Sequence, residues 1–577
     1  MRYEPAFEPG DEPATMVEAL RRRQSGMGDR RALTFLVNGI AETAALSYAE
    51  LDLRARAIAA YLQELGARGR AVLLAIPPGL DFPAAFFGCL YAGAIAVPIA
   101  PKRAEHADQL RLVIEDCRPA AMLTGAAAMD KVAPLAEQAE AVGASDRRWI
   151  AVDGIDLALA SRWRKPPVRP GDIALYQYTS GSTSAPKAVM VSHGNLIHNV
   201  VAQLRAYECS RRTVWVSWLP TFHDMGLIAN TLAPVYGGFT AVAMSPLVFL
   251  KRPIQWLEAI SHFRGTITVA PNFAFDSCVD RSTPQDRAGL DLSCWETAVN
   301  GAEPVRPATM RRFTEAFAPC GFRHEVFLPG YGLAEATLAV SAGPASEPPL
   351  IVHVDRKCLA AGHVVPVEPD AAGAQEIAAS GRPLPGQTVA IVDPYTTRRS
   401  EPGRVGEIWV AGPSVAQGYW NRPEATESTF RSRIADTREG PFLRTGDLGF
   451  LQDGRLFVAG RLKDIIIIRG QNYYPQDIEL AAETSHRWGI PGGTAAFSMD
   501  VAGEEQLVVV QGVETRDGPE PGEIFRSVRR AVSEEFDLAT FMIVLVKRRS
   551  VRRTTSGKIQ RRACRSALIA LELDVVS

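Results

Sequence analysis

Between positions 47 and 98 the chain reads SYAELDLRARAIAAYLQELGA, then RAVLLAIPP, then FPAAFFGCLYAGA. This succession constrains the fold more than any other stretch. The first segment carries apolar residues at helical spacing, the second is a short buried strand, and the third predicts a helix packed on that strand. Alternation of this kind is the grammar of an α/β protein with mostly parallel strands. After Arg461 the texture changes to a strand-like DIIIIRG, a helix-like PQDIELAAETS, the strands TAAFSM and EQLVVVQGV, and a helix EIFRSVRRAVSEEF. That part is long enough, at about 110 residues, for a small α+β domain of its own. A chain of 577 residues exceeds one typical core, so two or more domains are expected.

Charge and cysteine content exclude several classes. Lys+Arg 63 against Asp+Glu 64 leaves a formal net charge of -1, which provides no global field to draw nucleic acid or an anionic membrane. The eight cysteines are scattered with no CxxC pair, so neither a zinc cage nor a disulfide framework is indicated. The start, MRYEPAFEPGDEP, lacks the basic and apolar run of a signal peptide. The most apolar stretch, AAFFGCLYAGAIAVPIAP, is interrupted by Gly88, Gly93 and Pro98 and falls short of the roughly 20 residues that span a bilayer. A soluble cytoplasmic protein with no membrane span is expected.

One loop carries chemistry. YTSGSTSAPKAVMVSHGN follows the strand-like IALYQY. Glycine lets amide N–H groups turn inward, and the hydroxyls plus one lysine add donors to the concavity, which suits phosphate. The loop does not fit G-x-x-x-x-G-K-[ST], so a P-loop NTPase of the usual kind is disfavoured. Alone, a Ser/Thr/Gly cluster between apolar segments is usually a plain surface loop.

The accompanying motifs decide between these readings. Downstream, in order, stand LPTFHDMGL, VNGAEPV, LPGYGLAEATL, RTGDLG, GRLKDIIIIRGQNYYPQDIE and RTTSGKIQRR. Together with YTSGSTSAPK they resemble the adenylate-forming superfamily of acyl-CoA synthetases, adenylation domains and luciferases, over residues 46–562. The resemblance implies a large N-terminal AMP-binding α/β domain (1–460), a hinge (461–464) and a small mobile α+β C-terminal domain (465–577). It also implies ATP and Mg²⁺, and attack of a carboxylate on the α-phosphorus of ATP.

On this resemblance, Thr179, Ser180, Gly181, Ser182, Thr183 and Lys187 would wrap the phosphates. Tyr331 would stack on adenine, Gly301, Ala302, Gly332 and Leu333 would line the nucleotide, and Glu335 would hold Mg²⁺. Asp447 would accept the ribose hydroxyls and Arg461 would reach ribose or phosphate. His223 would sit beside the acyl pocket, whose walls are drawn from Trp218, Phe222, Met225, Asn272 and Phe273. Lys558 would be the catalytic cation and Lys463 the hinge. Ser184, Ala188, Ala334 and Val551 depart from residues common at those steps.

A segment near 343–380 resembles the insertion that marks fatty acyl-AMP ligases among acyl-CoA synthetases. It implies a fatty acid as substrate, CoA disfavoured, and transfer to the phosphopantetheine arm of an acyl carrier protein. The alternatives are an acyl-CoA synthetase, told apart by CoA-dependent release of AMP, and a non-catalytic adenylate-binding module, told apart by absence of ATP–pyrophosphate exchange.

Overall fold

A computed structural model describes residues 3–576 apart from 9, 101–106, 131, 133–148, 180–185, 469–470, 491, 502–503, 514–520 and 555–557. The opening succession folds as its pattern predicts. Ser47 caps the helix Tyr48–Glu64 reciprocally with Glu50, a capping box that satisfies two orphan N–H groups. The strand Ala71–Leu74 is buried along its whole length, and the helix Asp81–Ala92 buries every residue after its first. Phe82, Phe86, Phe87 and Tyr91 thus enter the main core.

Two large sheets follow. One runs in the order 149–151, 121–124, 71–74, 95–98, 173–179, 187–192, and the other 327–329, 297–300, 267–270, 214–217, 240–244, 31–36, 43–47. Pairing in both is parallel except for the last pair of each, Ile173–Thr179 with Lys187–Ser192 and Arg31–Leu36 with Thr43–Ser47. Continuous apolar strands such as Ile267–Ala270 and Thr297–Asn300 are buried throughout, as parallel strands covered on both faces must be.

The sheet built from Thr388–Val392, Gly406–Ala411, Leu443–Gln452 and Arg455–Arg461 differs from the mostly parallel expectation, since every pair in it is antiparallel. The turn at 453–455, DGR, makes a tight hairpin of its last two strands, and although the helix Pro423–Phe430 lies between Gly406–Ala411 and Leu443–Gln452, the chain returns antiparallel there too. The 343–380 segment contributes a two-stranded hairpin, Ile351–Asp355 with Ala374–Ala378. Val354, Leu359 and Ile377 from it pack with Phe450, Phe457 and Tyr474 in one apolar cluster.

Beyond Arg461 a separate core forms from the helices Pro475–Thr484 and Pro521–Phe536 against a sheet of Thr494–Val501, Glu504–Val513 and Thr540–Lys547. Ile524, Val528, Val532 and Phe536 lie on one face of the second helix and are buried, the helical period their spacing requires. Among the described residues no helix is long and apolar enough to cross a membrane.

Candidate active site

The serine-rich loop joins two antiparallel strands, with Thr179 opposite Lys187 in the register. Ser180, Gly181, Ser182 and Thr183 lie outside the described residues. Thr179 and Lys187 flank them, and Thr179 Oγ1 donates to the carbonyl of Lys187 at 3.5 Å. The ammonium of Lys187 stands 4.9 Å from the centre of the Tyr419 ring, an attraction between a cation and the ring quadrupole. Tyr419 in turn donates its phenol to Glu335 Oε1 at 2.8 Å. Lys187 and Glu335, 148 positions apart in sequence (335 minus 187), are thus held by one aromatic side chain. Burial, reinforced by the neighbouring Glu335 charge, pushes the Tyr419 phenol above its ordinary pKa, so it stays a neutral donor.

Glu335 sits in a 3₁₀ turn, Ala334–Ala336. Its carbonyl accepts from Ala416 N–H at 2.9 Å. Immediately after it Thr337 adopts φ 70° and ψ -59°, and Leu338 N–H donates to Ala336 C=O at 2.8 Å. This is a γ-turn of the rarer positive-φ hand, and it falls on a β-branched residue, for which such a backbone is costly. The surroundings hold it: Thr337 Oγ1 donates to Ser414 C=O at 2.6 Å, and Asn199 both donates to Ala339 C=O and accepts from Ala339 N–H. Gly332 permits the close approach, because a Cβ there would stand 1.9 Å from the Leu338 carbonyl oxygen.

A second cluster gathers three of the expected nucleotide residues. Asp447 lies opposite Arg461 in the antiparallel ladder. Its Oδ1 accepts from Arg461 Nε at 2.9 Å and its Oδ2 from the Tyr331 hydroxyl at 2.8 Å. The Asp447 charge raises the Arg461 guanidinium above its ordinary pKa. Burial lifts the Tyr331 phenol well above its own, with Asp447 adding to the shift.

Gly301 and Ala302 follow the strand Thr297–Asn300, and Ala302 has φ 72°. The Asn272 amide clips this segment: Nδ2 donates to Pro304 C=O at 2.8 Å, while Oδ1 accepts from Asn300 Nδ2 at 3.0 Å and Arg306 N–H at 3.1 Å. Asn272 therefore serves the 300–306 loop, in addition to its expected place in the acyl pocket. Trp218 stacks on Phe249 at 3.9 Å with Phe273 edge-on at 5.7 Å. His223 lies in the turn before Met225–Leu232, with its ring 4.8 Å from that of Phe222. Gln177, from the strand leading into the serine-rich loop, donates to Phe222 C=O at 2.9 Å.

A model of the family described as AMP-binding enzyme matches residues 20–420. The chain belongs to the AMP-binding enzymes. It is 43% identical over 571 residues to the medium-chain-fatty-acid–[acyl-carrier-protein] ligase JamA of Moorena producens, covering 97% of this chain and 96% of that protein. It is 40% identical over 567 residues to the long-chain-fatty-acid–AMP ligase FadD26 of Mycobacterium marinum, covering 94% and 95%. Among solved structures it resembles the fatty acyl-adenylate ligase from Legionella pneumophila in complex with acyl adenylate and pyrophosphate, with TM-score 0.77, 39% identity and coverage of 99% and 98%. Within the AMP-binding enzymes it is thus a fatty acyl-AMP ligase homologue.

In this AMP-binding enzyme Lys558 is exposed. Its N–H donates to Thr554 Oγ1 at 3.0 Å and its carbonyl accepts from Thr554 N–H at 2.8 Å, which closes the loop that carries it. Arg561 then binds Glu479 at 2.7 Å and Asp464 at 3.1 Å, and Arg562 reaches the Lys463 carbonyl at 3.2 Å. The lysine loop is therefore anchored to the 3₁₀ turn Leu462–Asp464, while Lys558 itself is not joined to the Asp447 or Glu335 clusters. Sequence reasoning missed Tyr419, which stands in the stretch AGPSVAQGYWNRPEAT; its hydroxyl is recognisable only once folding brings Glu335 to it.

Proposed function

We propose that this chain activates a fatty acid with ATP to an acyl-adenylate and pyrophosphate, then passes the acyl group to the phosphopantetheine thiol of an acyl carrier protein. The observation that carries this reading is the convergence of two clusters, Lys187–Tyr419–Glu335 and Tyr331–Asp447–Arg461, on the segments that flank the serine-rich loop and the 331–337 turn. The reading divides the chain into 1–460, a hinge at 461–464 and 465–577.

In the first half-reaction a carboxylate oxygen of the acid bonds to the α-phosphorus and pyrophosphate leaves. Both reactants are anionic, so fixed positive charge and alignment do most of the work. Lys187 and the hairpin loop hold the leaving phosphates, Asp447 accepts from the ribose, Tyr331 covers the adenine, and Lys558 meets the charge that builds at the α-phosphate. His223 stands beside the acyl carboxylate. In the second half-reaction the thiol attacks the acyl carbon and AMP departs.

Mg²⁺ suits the residues present. Among the described residues no group of three or more metal-binding side chains occurs, yet Mg²⁺ keeps several waters and needs only one or two carboxylates plus phosphate oxygens. Tyr419 holds the Glu335 carboxylate in place through Oε1, and that carboxylate would hold the cation. Bound there, Mg²⁺ would neutralise phosphate charge.

A cytoplasmic location and poor use of CoA belong to the same reading. The 343–380 hairpin grips the C-terminal part through Arg356 to Glu535 at 2.8 Å and Gln375 to Asp477 at 2.8 Å, contacts that oppose the rotation a free thiol such as CoA would need. The deciding experiment is a product assay with ATP, Mg²⁺ and a fatty acid series, run without thiol, with CoA and with phosphopantetheinylated carrier protein. Acyl-adenylate that CoA leaves intact and carrier protein consumes supports the ligase. Acyl-CoA formed at the rate of adenylation supports a synthetase instead.

A further inference from the structure

The lysine loop is braced on two sides. Behind Lys558, Arg561 ties it to Glu479 and the Leu462–Asp464 turn. Ahead of it a different set of contacts leads to the large domain's nucleotide loop. Arg553, paired with Ile559 across the loop, donates through Nη2 to the Gly492 carbonyl. Gly492 holds φ 63°, a conformation that glycine adopts without strain. Two residues on, Thr494 N–H donates to Glu483 Oε1 at 3.2 Å, and the Gly492 main chain acts on the same carboxylate. Glu483 Oε2 then meets Arg306 Nη1 at 3.5 Å.

Arg306 closes the 300–306 loop that carries Gly301 and Ala302, and its main chain is fixed by Asn272. The side chains of Arg306 and Glu483 are only 19% and 4% exposed, so little water screens the pair. Glu303, in the same loop, adds its charge toward both Arg306 and Arg553.

We infer that Arg306 is a positioning residue for adenylation: through Glu483, Gly492 and Arg553 it seats the Lys558 loop relative to the loop at 301–302. The inference rests on the functional reading above for its consequence, though the coupling itself is a property of the fold. An ion pair serving only to hold the fold would affect both half-reactions alike. A positioning contact should affect the step in which Lys558 acts and spare transfer from a ready-made acyl-adenylate.

The test uses the full-length chain with Arg306→Met, which keeps the apolar stem and removes the charge, and Arg306→Lys, which restores a cation. We expect Arg306→Met to lower the kcat of ATP–pyrophosphate exchange about tenfold, the scale of one lost charge-assisted contact. The KM for fatty acid and transfer from synthetic acyl-adenylate to carrier protein should stay near wild type, and Arg306→Lys should recover most of the exchange rate. Hydrogen exchange of peptides covering Arg553 and Lys558 should quicken in Arg306→Met and return toward wild type in Arg306→Lys. Unchanged exchange of those peptides, or an equal fall in both half-reactions accompanied by a lower Tm, overturns the inference. A wild-type chain without ATP–pyrophosphate exchange overturns the functional reading instead, and the peptide measurement still decides the coupling.

Discussion

Tyr419 donates its phenol to Glu335 at 2.8 Å while its ring faces the Lys187 ammonium at 4.9 Å. One side chain therefore orients the carboxylate assigned to Mg²⁺ and the cation assigned to the phosphates. Tyr419→Phe keeps the ring and removes only the hydroxyl. The Mg²⁺ concentration for half-maximal exchange should rise about tenfold, as expected when a group orienting a metal ligand is lost, with little change in the KM for fatty acid. A shift confined to fatty acid would separate Tyr419 from the metal site.

Asp447 takes the Tyr331 hydroxyl on one oxygen and Arg461 on the other. Asp447→Ala leaves both donors without this acceptor and removes the partner proposed for the ribose hydroxyls. Hydrogen bonds to a charged group contribute about 1.5–3 kcal/mol, so the KM for ATP should rise roughly 10- to 100-fold, with kcat less affected. Initial rates over a range of ATP concentrations check this, and an effect restricted to the fatty acid contradicts the placement.

Lys558 is exposed, and its hydrogen bonds to Thr554 are made by the main chain. Lys558→Ala should therefore leave Tm within about 1 °C of wild type, as surface substitutions usually do. Adenylate formation should fall about 10²- to 10³-fold, the scale for removing one preorganised charge stabiliser. Transfer from preformed acyl-adenylate should persist. Unchanged exchange would remove the lysine from the mechanism.

The β-α succession at 47–98 and the elements after Arg461 were legible because helical and strand periods differ and each segment buries the face its pattern marks. The antiparallel sheet over 388–461 was not, since its strands carry Gly, Arg and Asp, as at Gly446, Asp447 and Arg461, which interrupt the alternation that marks a strand. Nor was the Thr337 γ-turn, because no local rule puts a β-branched residue at φ 70°; Asn199 and Ser414, distant in sequence, hold it. Tyr331, Asp447 and Arg461 could be named from motifs, whereas the Tyr331–Asp447 contact, like the Arg306–Glu483 pair, depends on the packing of segments more than 100 residues apart.

Residues 343–380 hold the C-terminal part through an apolar cluster with Tyr474 and through polar contacts, and point changes can test the polar ones. Arg356 pairs with Glu535 and lies 4.9 Å from the Phe536 ring centre, and Gln375 donates to Asp477. Deleting 352–379 would also remove Val354, Leu359 and Ile377 from an apolar cluster, and each such loss costs about 2–5 kcal/mol. Arg356→Ala with Gln375→Ala leaves that cluster intact. Acyl-CoA formation by the double variant should rise several-fold relative to transfer to carrier protein, read by product analysis with both thiols present. An unchanged ratio argues against restraint by this hairpin.

The same contact carries a pH dependence. Burial pushes the Asp477 carboxyl up to about 7, with the Gln375 hydrogen bond and Arg356 pulling it down and Glu535 pushing it up; Arg306 also attracts it from the large domain. A carboxyl whose folded pKa lies above its unfolded value near 3.9 binds its proton more tightly when folded. Its contribution to stability is full below the unfolded pKa and is lost as pH rises through about 7. Glu483, likewise pushed up to about 7 by burial against the pull of Arg306, acts in the same direction. Asp477→Asn keeps an acceptor for Gln375 and abolishes the charge. Thermal unfolding from pH 5 to pH 8 should show the wild-type Tm falling more steeply than that of the variant, which should be a few degrees more stable at pH 8. Equal slopes would mean that the Asp477 carboxylate ionises without loss of stability, and would remove it as the source of the dependence.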